Sequence, residues 1–568
     1  MIFFNYTPRG TSNRIKFCLG ILLFLFLVGC PFGLVKAVNV GDIVNFNVDK
    51  GFDASGRTQV SSTLVKIGSR LYFYIEKQWW DLQSQSKQTE ILADLDKLSN
   101  EFDSNIYPTL TSVFGYEWNP GIDNDSKITV LFEPMNSTEG GYFREADEYT
   151  KLQSPISNEK EMLYLSVSNI DNSNVKIILG HEFTHLITFN QKNKIFGVEE
   201  DTWLNEARAD YSSTILKYDE NYDGSNLQQR VKDFIENPSD SVTDWSGTKY
   251  DYSSVDLFTH YLVEHYGVNI LSDSLKSKSV GIESINQTLL RFGAGKNFSQ
   301  IFTDWTITLA INDCSQKLTY CYSNENLNSL RVSPTLIFLP LTGNSSLSAT
   351  NVTKNWSGNW QKIIGGSGNL KLDFSSLSGL NFQVPYILYD KDNKYSVKFL
   401  ALDNNGKGEI SIQDFGTNYK SLVIVPSLQS KLSDFENSDL IYPYSFTVSI
   451  VGKDQETDQT LIQKLLAQID SLKKQIAAIL AQRGAPYGSC LQINNNLSFG
   501  MAGAEVSCLQ GFLKNQGADI YPEGLVTGNF GNLTKIAVIK FQAKYAIPQT
   551  GFVGPLTRNK VNQILSGV

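Results

Sequence analysis

Apolar and polar positions divide the chain into stretches of different period. Leu71-Tyr-Phe-Tyr-Ile75, Lys127-Ile-Thr-Val-Leu-Phe132 and Met162-Leu-Tyr-Leu-Ser-Val167 are dense in β-branched and aromatic residues and predict strands. A helical stretch is expected near Ile91–Phe102. From Val175 to about Ile311 the apolar residues recur at helical spacing, so this half is mainly α. From about Val332 to Val451 that spacing is lost. Strands punctuated by Gly, Asn and Ser take over, such as Val397-Lys-Phe-Leu-Ala-Leu402 and Ser421-Leu-Val-Ile-Val425, and predict a β-sandwich. Ile462, Leu465, Ile469, Leu472, Ile476 and Ile479 then alternate spacings of three and four, the a/d pattern of a coiled coil. So short a segment serves either as a helical spacer or as an oligomerisation zipper.

The last region repeats itself. Thr527-Gly-Asn-Phe-Gly-Asn-Leu-Thr-Lys-Ile-Ala-Val538 matches Thr550-Gly-Phe-Val-Gly-Pro-Leu-Thr-Arg-Asn-Lys-Val561, each copy a glycine turn opening a helix. A third helix precedes them, with Val506, Leu509, Phe512 and Leu513 on one face.

The N-terminus has its own pattern. Arg9, Arg14 and Lys16 precede the apolar run Phe17–Gly29, which has the length of a signal-peptide core and is short for a membrane span. Pro31 and Gly33 break the run, and Val35-Lys36-Ala37 offers a cleavage site after Ala37. The competing reading is Leu27-Val28-Gly29-Cys30, a lipoprotein box with Cys30 lipidated. With 568 residues, several cores are required. The expected organisation is a signal peptide over 1–37, an α+β domain over 38–330, a β-sandwich over 331–455, a coiled-coil spacer over 456–483 and a three-helix domain over 484–568. No later segment is apolar enough to span a membrane, so the mature chain is expected to be secreted.

Composition narrows the partners. The chain is 41% hydrophobic and 19% charged, as in ordinary globular proteins. Its net charge of -9 argues against nucleic acid, which demands a basic surface. Removing 1–37 discards Cys18 and Cys30 and leaves Cys314, Cys321, Cys490 and Cys508. Two sequence-local pairs suggest two disulfides formed in an oxidising compartment.

The candidate chemistry centres on His181-Glu182-Phe183-Thr184-His185, which holds two of the four histidines. A spacing of four puts both imidazoles on one helical face, where they could bind one metal ion. Zinc needs a third protein ligand and an open fourth position. Trp203-Leu-Asn-Glu206-Ala-Arg-Ala-Asp210 places Glu206 and Asp210 on one face of a second helix, with small Ala207 and Ala209 permitting close packing. A His-Glu-x-x-His helix followed by Asn-Glu-x-x-x-Asp resembles the zincin-like gluzincin metallopeptidases. The surrounding pattern is similar to the hyicolysin-like family over roughly residues 40–330: Phe114-Gly near Pro120-Gly-Ile-Asp123, Gly140-Gly-Tyr-Phe143 and Thr202-Trp-Leu-Asn-Glu206.

The resemblance implies that His181, His185 and Glu206 bind zinc and that Glu182 is the general base acting on the water the metal activates. Asp210 would orient one histidine by accepting its free N–H. Gluzincins commonly stabilise the oxyanion with a later Tyr or His; Tyr250, Tyr252, His260 and His265 are the candidates, and Tyr252 is preferred. The substrate would be a protein or peptide. Asp123-Asn-Asp-Ser126 and Asp403-Asn-Asn-Gly-Lys-Gly-Glu409 have the oxygen ligands of calcium loops, or are plain turns.

The C-terminal repeat resembles the peptidoglycan-binding-like domain. The likeness rests on Gly500-Met-Ala-Gly-Ala-Glu-Val506, Leu509-Gln510, Thr527-Gly-Asn-Phe-Gly531, Thr534, Phe541-Gln542 and Gly551-Phe-Val-Gly-Pro555. It implies a wall-binding role. A non-catalytic surface binder and a peptidoglycan cross-link peptidase are the rival readings of the whole chain.

Overall fold

The computed structural model describes residues 38–136, 140–341, 343–431, 440–452, 465–469 and 492–566. The expected signal peptide and Cys30 lie outside the described residues. So does most of the expected coiled coil, of which 465–469 is described and helical. The described residues fall into two compact units, divided between 454 and 455.

The first unit begins with six strands: β1 (Ile43–Asn47), β2 (Gln59–Ile67), β3 (Leu71–Glu76), β4 (Ile128–Glu133), β5 (Gly141–Phe143) and β6 (Met162–Ser166). They pair in the order β1-β2-β3-β4-β6-β5. β3, β4 and β6 run parallel, and β5 closes the edge antiparallel to β6 with Tyr142 opposite Tyr164. Strands β4 and β6 are buried on both faces, as expected of parallel strands covered on each side.

Ten helices follow or intervene: α1 (Lys77–Asp81), α2 (Gln85–Glu101), α3 (Tyr107–Phe114), α4 (Val175–Phe189), α5 (Thr202–Ile215), α6 (Asn226–Glu236), α7 (Lys249–Tyr266), α8 (Asn269–Ser274), α9 (Gly281–Arg291) and α10 (Phe298–Ile311). Helix α4 is buried on nearly every side, with Leu179, Phe183, Leu186 and Ile187 inaccessible to solvent. Phe183 packs against Phe102 and Tyr107 at ring separations of 5.0 and 5.5 Å. Gly180 lets α4 approach α5 closely: a Cβ there would stand 2.8 Å from a Leu216 methyl. Ala207 and Ala209 are buried on α5. The capping box of Thr248 and Asp251 fixes the start of α7.

Strands from Thr335 to Gly452 form a second sheet. The pattern suggests a sandwich of two sheets; the structure joins nine strands in one hydrogen-bonded sheet. Strand Tyr419–Ile424 is the junction, pairing with Pro385–Asp390 and Gln361–Gly365 and bridging Lys407–Phe415 through Phe415 and Tyr419. The sheet wraps a core that includes Leu370, Leu372, Phe374 and Phe446. Buried Trp356 and Trp360 join it to the helical half, Trp360 donating its indole N–H to the Thr306 carbonyl on α10. Cys314 and Cys321 are joined by a disulfide.

In the second unit, helices Ala504–Asn515, Asn532–Lys544 and Pro555–Leu565 enclose a core of Val506, Leu509, Phe512, Phe541 and Val561. Two buried glutamines hold its repeated turns. The Gln510 carbonyl accepts from the backbone N–H of Thr527 and Gly528, and its amide donates to the Asn529 carbonyl and Thr534 hydroxyl. Gln542 repeats this on Gly551, Phe552 and Thr557. Cys508 is disulfide-bonded, and Cys490 lies outside the described residues.

Candidate metal centre

Helices α4 and α5 pack side by side and bring three ligand-type side chains together. Atoms of His181, His185 and Glu206 all lie within 4.8 Å of one another, and among the described residues this is the only group of three or more such side chains that could hold a metal ion. The Nε2 atoms of His181 and His185 stand 3.2 and 3.6 Å from the two Glu206 carboxylate oxygens. Glu206 Oε2 is buried with His181 Nε2 beside it, an arrangement a cation between the two would satisfy. Two imidazole nitrogens and a carboxylate oxygen are a donor set suited to zinc. The residues present fit that ion.

A cleft of about 570 Å³ opens over this point, lined by β5 residues Gly141–Phe143, by Glu182, and by Trp245 and Tyr252 across from them. Burial pushes the Glu182 carboxyl up to about 7, against the opposing pull of His181, and the Phe143 backbone N–H donates to it. Burial would lower His181, but hydrogen bonding to Glu206 and the charges of Glu182, Glu206 and Asp210 push it up to about 9. Burial holds His185 below its ordinary value. Burial would raise Glu206, yet the two imidazoles hold it low.

Asp210 lies where the helical spacing placed it, but its contacts differ from those expected. Its Oδ1 is 3.9 Å from Nδ1 of His181, too long for a hydrogen bond. Arg230 of α6 grips the carboxylate with two bonds of 2.6 and 2.8 Å, and Asn226 adds a third at 3.1 Å. Arg230 offsets the burial that would otherwise raise Asp210 and keeps its pKa low. The same guanidinium stacks over Tyr252, 4.8 Å from the ring centre. Sequence reasoning missed Arg230, because one arginine on an amphipathic helix carries no local mark of its partner.

Tyr252 faces the cleft with its ring 6.5 Å from that of His181 and 4.9 Å from that of Trp245. The negative charge of Glu206, with burial, pushes its hydroxyl pKa well up, so it remains a proton donor. The other candidates are placed differently. Tyr250 reaches Glu236, His260 is buried against Thr214 and Asp256, and His265 contacts the Cys321 carbonyl.

Neither oxygen-rich loop collects a calcium ligand set. Asp123 pairs with Lys160, and Asp125 accepts from the Tyr72 hydroxyl. Asp403 accepts the backbone N–H of Asn405 and Lys407, which closes a turn. Among the described residues no helix is long and apolar enough to cross a membrane.

Residues 502–561 match the peptidoglycan binding domain family. Over 129 residues the chain is 32% identical to the neutral metalloprotease ShpI of Staphylococcus hyicus, an overlap of 20% of this chain and 28% of that protein. The chain thus spans under a third of that curated relative's length. Among solved structures, the Yersinia pseudotuberculosis-derived mitogen matches at 14% identity and a TM-score of 0.15, covering 20% of this chain and 92% of its own. The pre-peptidase C-terminal domain of a Bacillus anthracis collagenase matches at 9% identity and a TM-score of 0.14, covering 20% and 94%. Likenesses so slight carry no argument. The chain therefore ends in a peptidoglycan-binding domain and is similar, over part of its length, to a metalloprotease.

Proposed function

We propose that this chain is an exported zinc peptidase of the gluzincin type, resembling the hyicolysin-like family, that cleaves peptide bonds while its C-terminal domain holds it on peptidoglycan. The observation that supports this most is the convergence of His181, His185 and Glu206 beside Glu182 in one cleft. His181, His185 and Glu206 hold the zinc, which when bound supplies Lewis acidity toward water and the substrate carbonyl. Glu182 removes a proton from the attacking water and returns it to the leaving amine, work for which a pKa near neutrality suits it. Tyr252 donates its hydroxyl proton in a hydrogen bond to the developing oxyanion. Asp210, kept ionised by Arg230, stands behind His181 on the Nδ1 side of its ring and ties α5 to α6 through Arg230. Attachment to the wall raises the local concentration of enzyme at its substrate.

Glu182→Gln tests the reading. It should retain zinc by metal analysis and retain the fold, while peptidase activity falls about 10²–10⁴-fold. Full activity in the zinc-loaded variant would remove Glu182 from the mechanism. Assays on casein and on purified sacculi separate a protein substrate from wall cross-links.

A further inference from the structure

Beside the cleft lies a second cavity, of about 460 Å³, that the proposed chemistry does not use. Two glycines join them: Gly140 lines the cavity and Gly141 the cleft. Ile178 packs against both, and a Cβ on Gly140 or Gly141 would stand 3.1 or 2.8 Å from its side chain. Ile178 also lines the cavity and precedes His181 by three residues, so both lie on one face of α4. Another wall is the start of α6, where Asn226 bonds to Asp210 behind His181. The cavity thus begins one helical turn from the candidate metal site.

Charge is divided unevenly between the two spaces. Glu145, Glu199 and Glu200 line the cleft in addition to the residues of the metal site. No carboxylate lines the cavity. Its polar lining is amide and hydroxyl, and its one charged side chain is Lys232 of α6. The Lys232 ammonium donates to the side-chain oxygen of Gln228 at 3.3 Å and makes no ion pair among the described residues. The adjacent acid, Asp233, is paired instead with Lys249 at 3.2 Å. Asn169 adds an amide at the glycine end, its Nδ2 3.8 Å from where a Cβ on Gly140 would stand.

Given the peptidase reading above, on which this rests, we infer that the cavity takes an acidic side chain of the substrate peptide at one position beside the scissile bond, and that Lys232 sets this preference. Strand β5 ends its sheet, so its outer edge pairs with no other strand among the described residues. A substrate segment laid along that edge passes Gly141 and then Gly140, from the cleft toward the cavity. There a glutamate or aspartate meets an ammonium without a counter-charge and amide N–H donors. Ile177 and Ile178 offer apolar surface to its methylene groups. A basic side chain meets Lys232 as a like charge, and an aliphatic one strips water from polar groups without replacing it. Past the other end of β5, Glu145 and Glu199 repel an acid, so the preference is one-sided.

The test uses the full zinc-loaded chain and a library of L-peptides, with cleavage sites read by mass spectrometry. Attraction of one charge and repulsion of the other should make wild type favour Glu or Asp over Lys or Arg by roughly tenfold at one position beside the cleaved bond, and not at the other. Lys232→Met should bring that ratio near one, and Lys232→Glu should invert it at the same position only. Lys232 is exposed on α6, so neither change disturbs the core. Binding is read separately on zinc-loaded Glu182→Gln, by fluorescence anisotropy of a cleaved sequence carrying Glu or Lys at that position. The Glu peptide should bind more tightly, and adding Lys232→Glu should reverse the order. Cleavage by wild type without the acidic preference, a preference that Lys232→Glu leaves unchanged, or equal Kd values for the two peptides overturns the assignment while the peptidase reading stands. A zinc-loaded wild type that cleaves no peptide removes both.

Discussion

Around the candidate metal site, Glu182, His185 and Asp210 are buried together with Glu148, Glu161 and Asp256, whereas the buried polar side chains described in the C-terminal unit are Gln510, Gln542, Thr534 and Thr557, none of them charged. The first region buries charge and must compensate it with Arg230, with hydrogen bonds or with a bound ion. The second buries neutral amides, and each amide is consumed in holding a glycine turn. Catalysis of the proposed kind requires buried ionisable groups, since their pKa values and mutual fields do the chemistry. A binding module has no such need. Its exposed apolar residues, among them Phe499, Leu533, Leu556 and Phe552, stand on the surface instead. The two units should therefore fail independently and for different reasons.

The largest separation should come from Glu206→Gln. Removing the ligand's charge should strip the zinc and abolish peptidase activity, while co-sedimentation with sacculi stays at the wild-type level. A variant that keeps stoichiometric zinc would show that the metal is held elsewhere. The converse change is Gln542→Ala. It deletes bonds to Gly551, Phe552 and Thr557 and leaves buried backbone groups unpaired, at a cost of about 3 kcal/mol. In a unit this small the unfolding transition should fall by at least 10 °C, with sacculus binding lost at elevated temperature and casein cleavage unchanged. Equal melting of both proteins would remove the structural role given to the repeat.

How far each region could be read from sequence follows from the same contrast. The repeat was legible because glycine turns and helix starts recur at one interval, and each copy is locally complete. His181, His185, Glu206 and Asp210 were legible because helical spacing of four sets their faces. Arg230 was not, for its partner lies on another helix and only tertiary packing joins them. The burial of Glu148 and Glu161 was not legible either, since burial leaves no mark on an isolated glutamate. The second sheet was read as two because alternation reports which face is buried and says nothing of which strand lies beside which. Strand Tyr419–Ile424, with three neighbours, decides that.

A smaller effect probes Arg230 and Asp210 together. Asp210→Asn should weaken zinc binding or turnover about 10–100-fold, the usual scale for groups just behind a metal ligand. Arg230→Met should act in the same direction by leaving Asp210 buried without its counter-charge. The double variant should lose little more than either alone, because both single changes break one unit. Fully additive losses would mean that Arg230 acts on the site by a separate route.

The smallest expected effect concerns pH and sets the charged unit against the neutral one. Glu133, at the end of β4, is fully buried and accepts the Tyr142 hydroxyl at 2.8 Å. Burial pushes its carboxyl from 4.5 up to about 7, against the Tyr142 hydrogen bond, with Asp53 adding repulsion and Arg57 and Arg144 opposing it. The folded state therefore holds this proton more tightly than the unfolded chain does. Its stability contribution is full below about 4.5 and is lost as pH rises through about 7. A shift of this size corresponds to at most roughly 3 kcal/mol, and relaxation around the carboxylate should leave about 1–2 kcal/mol. Glu133→Gln keeps an acceptor for Tyr142 but cannot ionise. It should match wild type near pH 5 and exceed it near pH 8 when unfolding of the first unit is followed in denaturant at fixed zinc. The C-terminal unit, with no buried charge among its described residues, should give the same midpoint at both pH values. If wild type and Glu133→Gln keep a constant difference from pH 5 to pH 8, Glu133 is ionised in the folded protein throughout, and the Tyr142 hydrogen bond with Arg57 and Arg144 outweighs its burial.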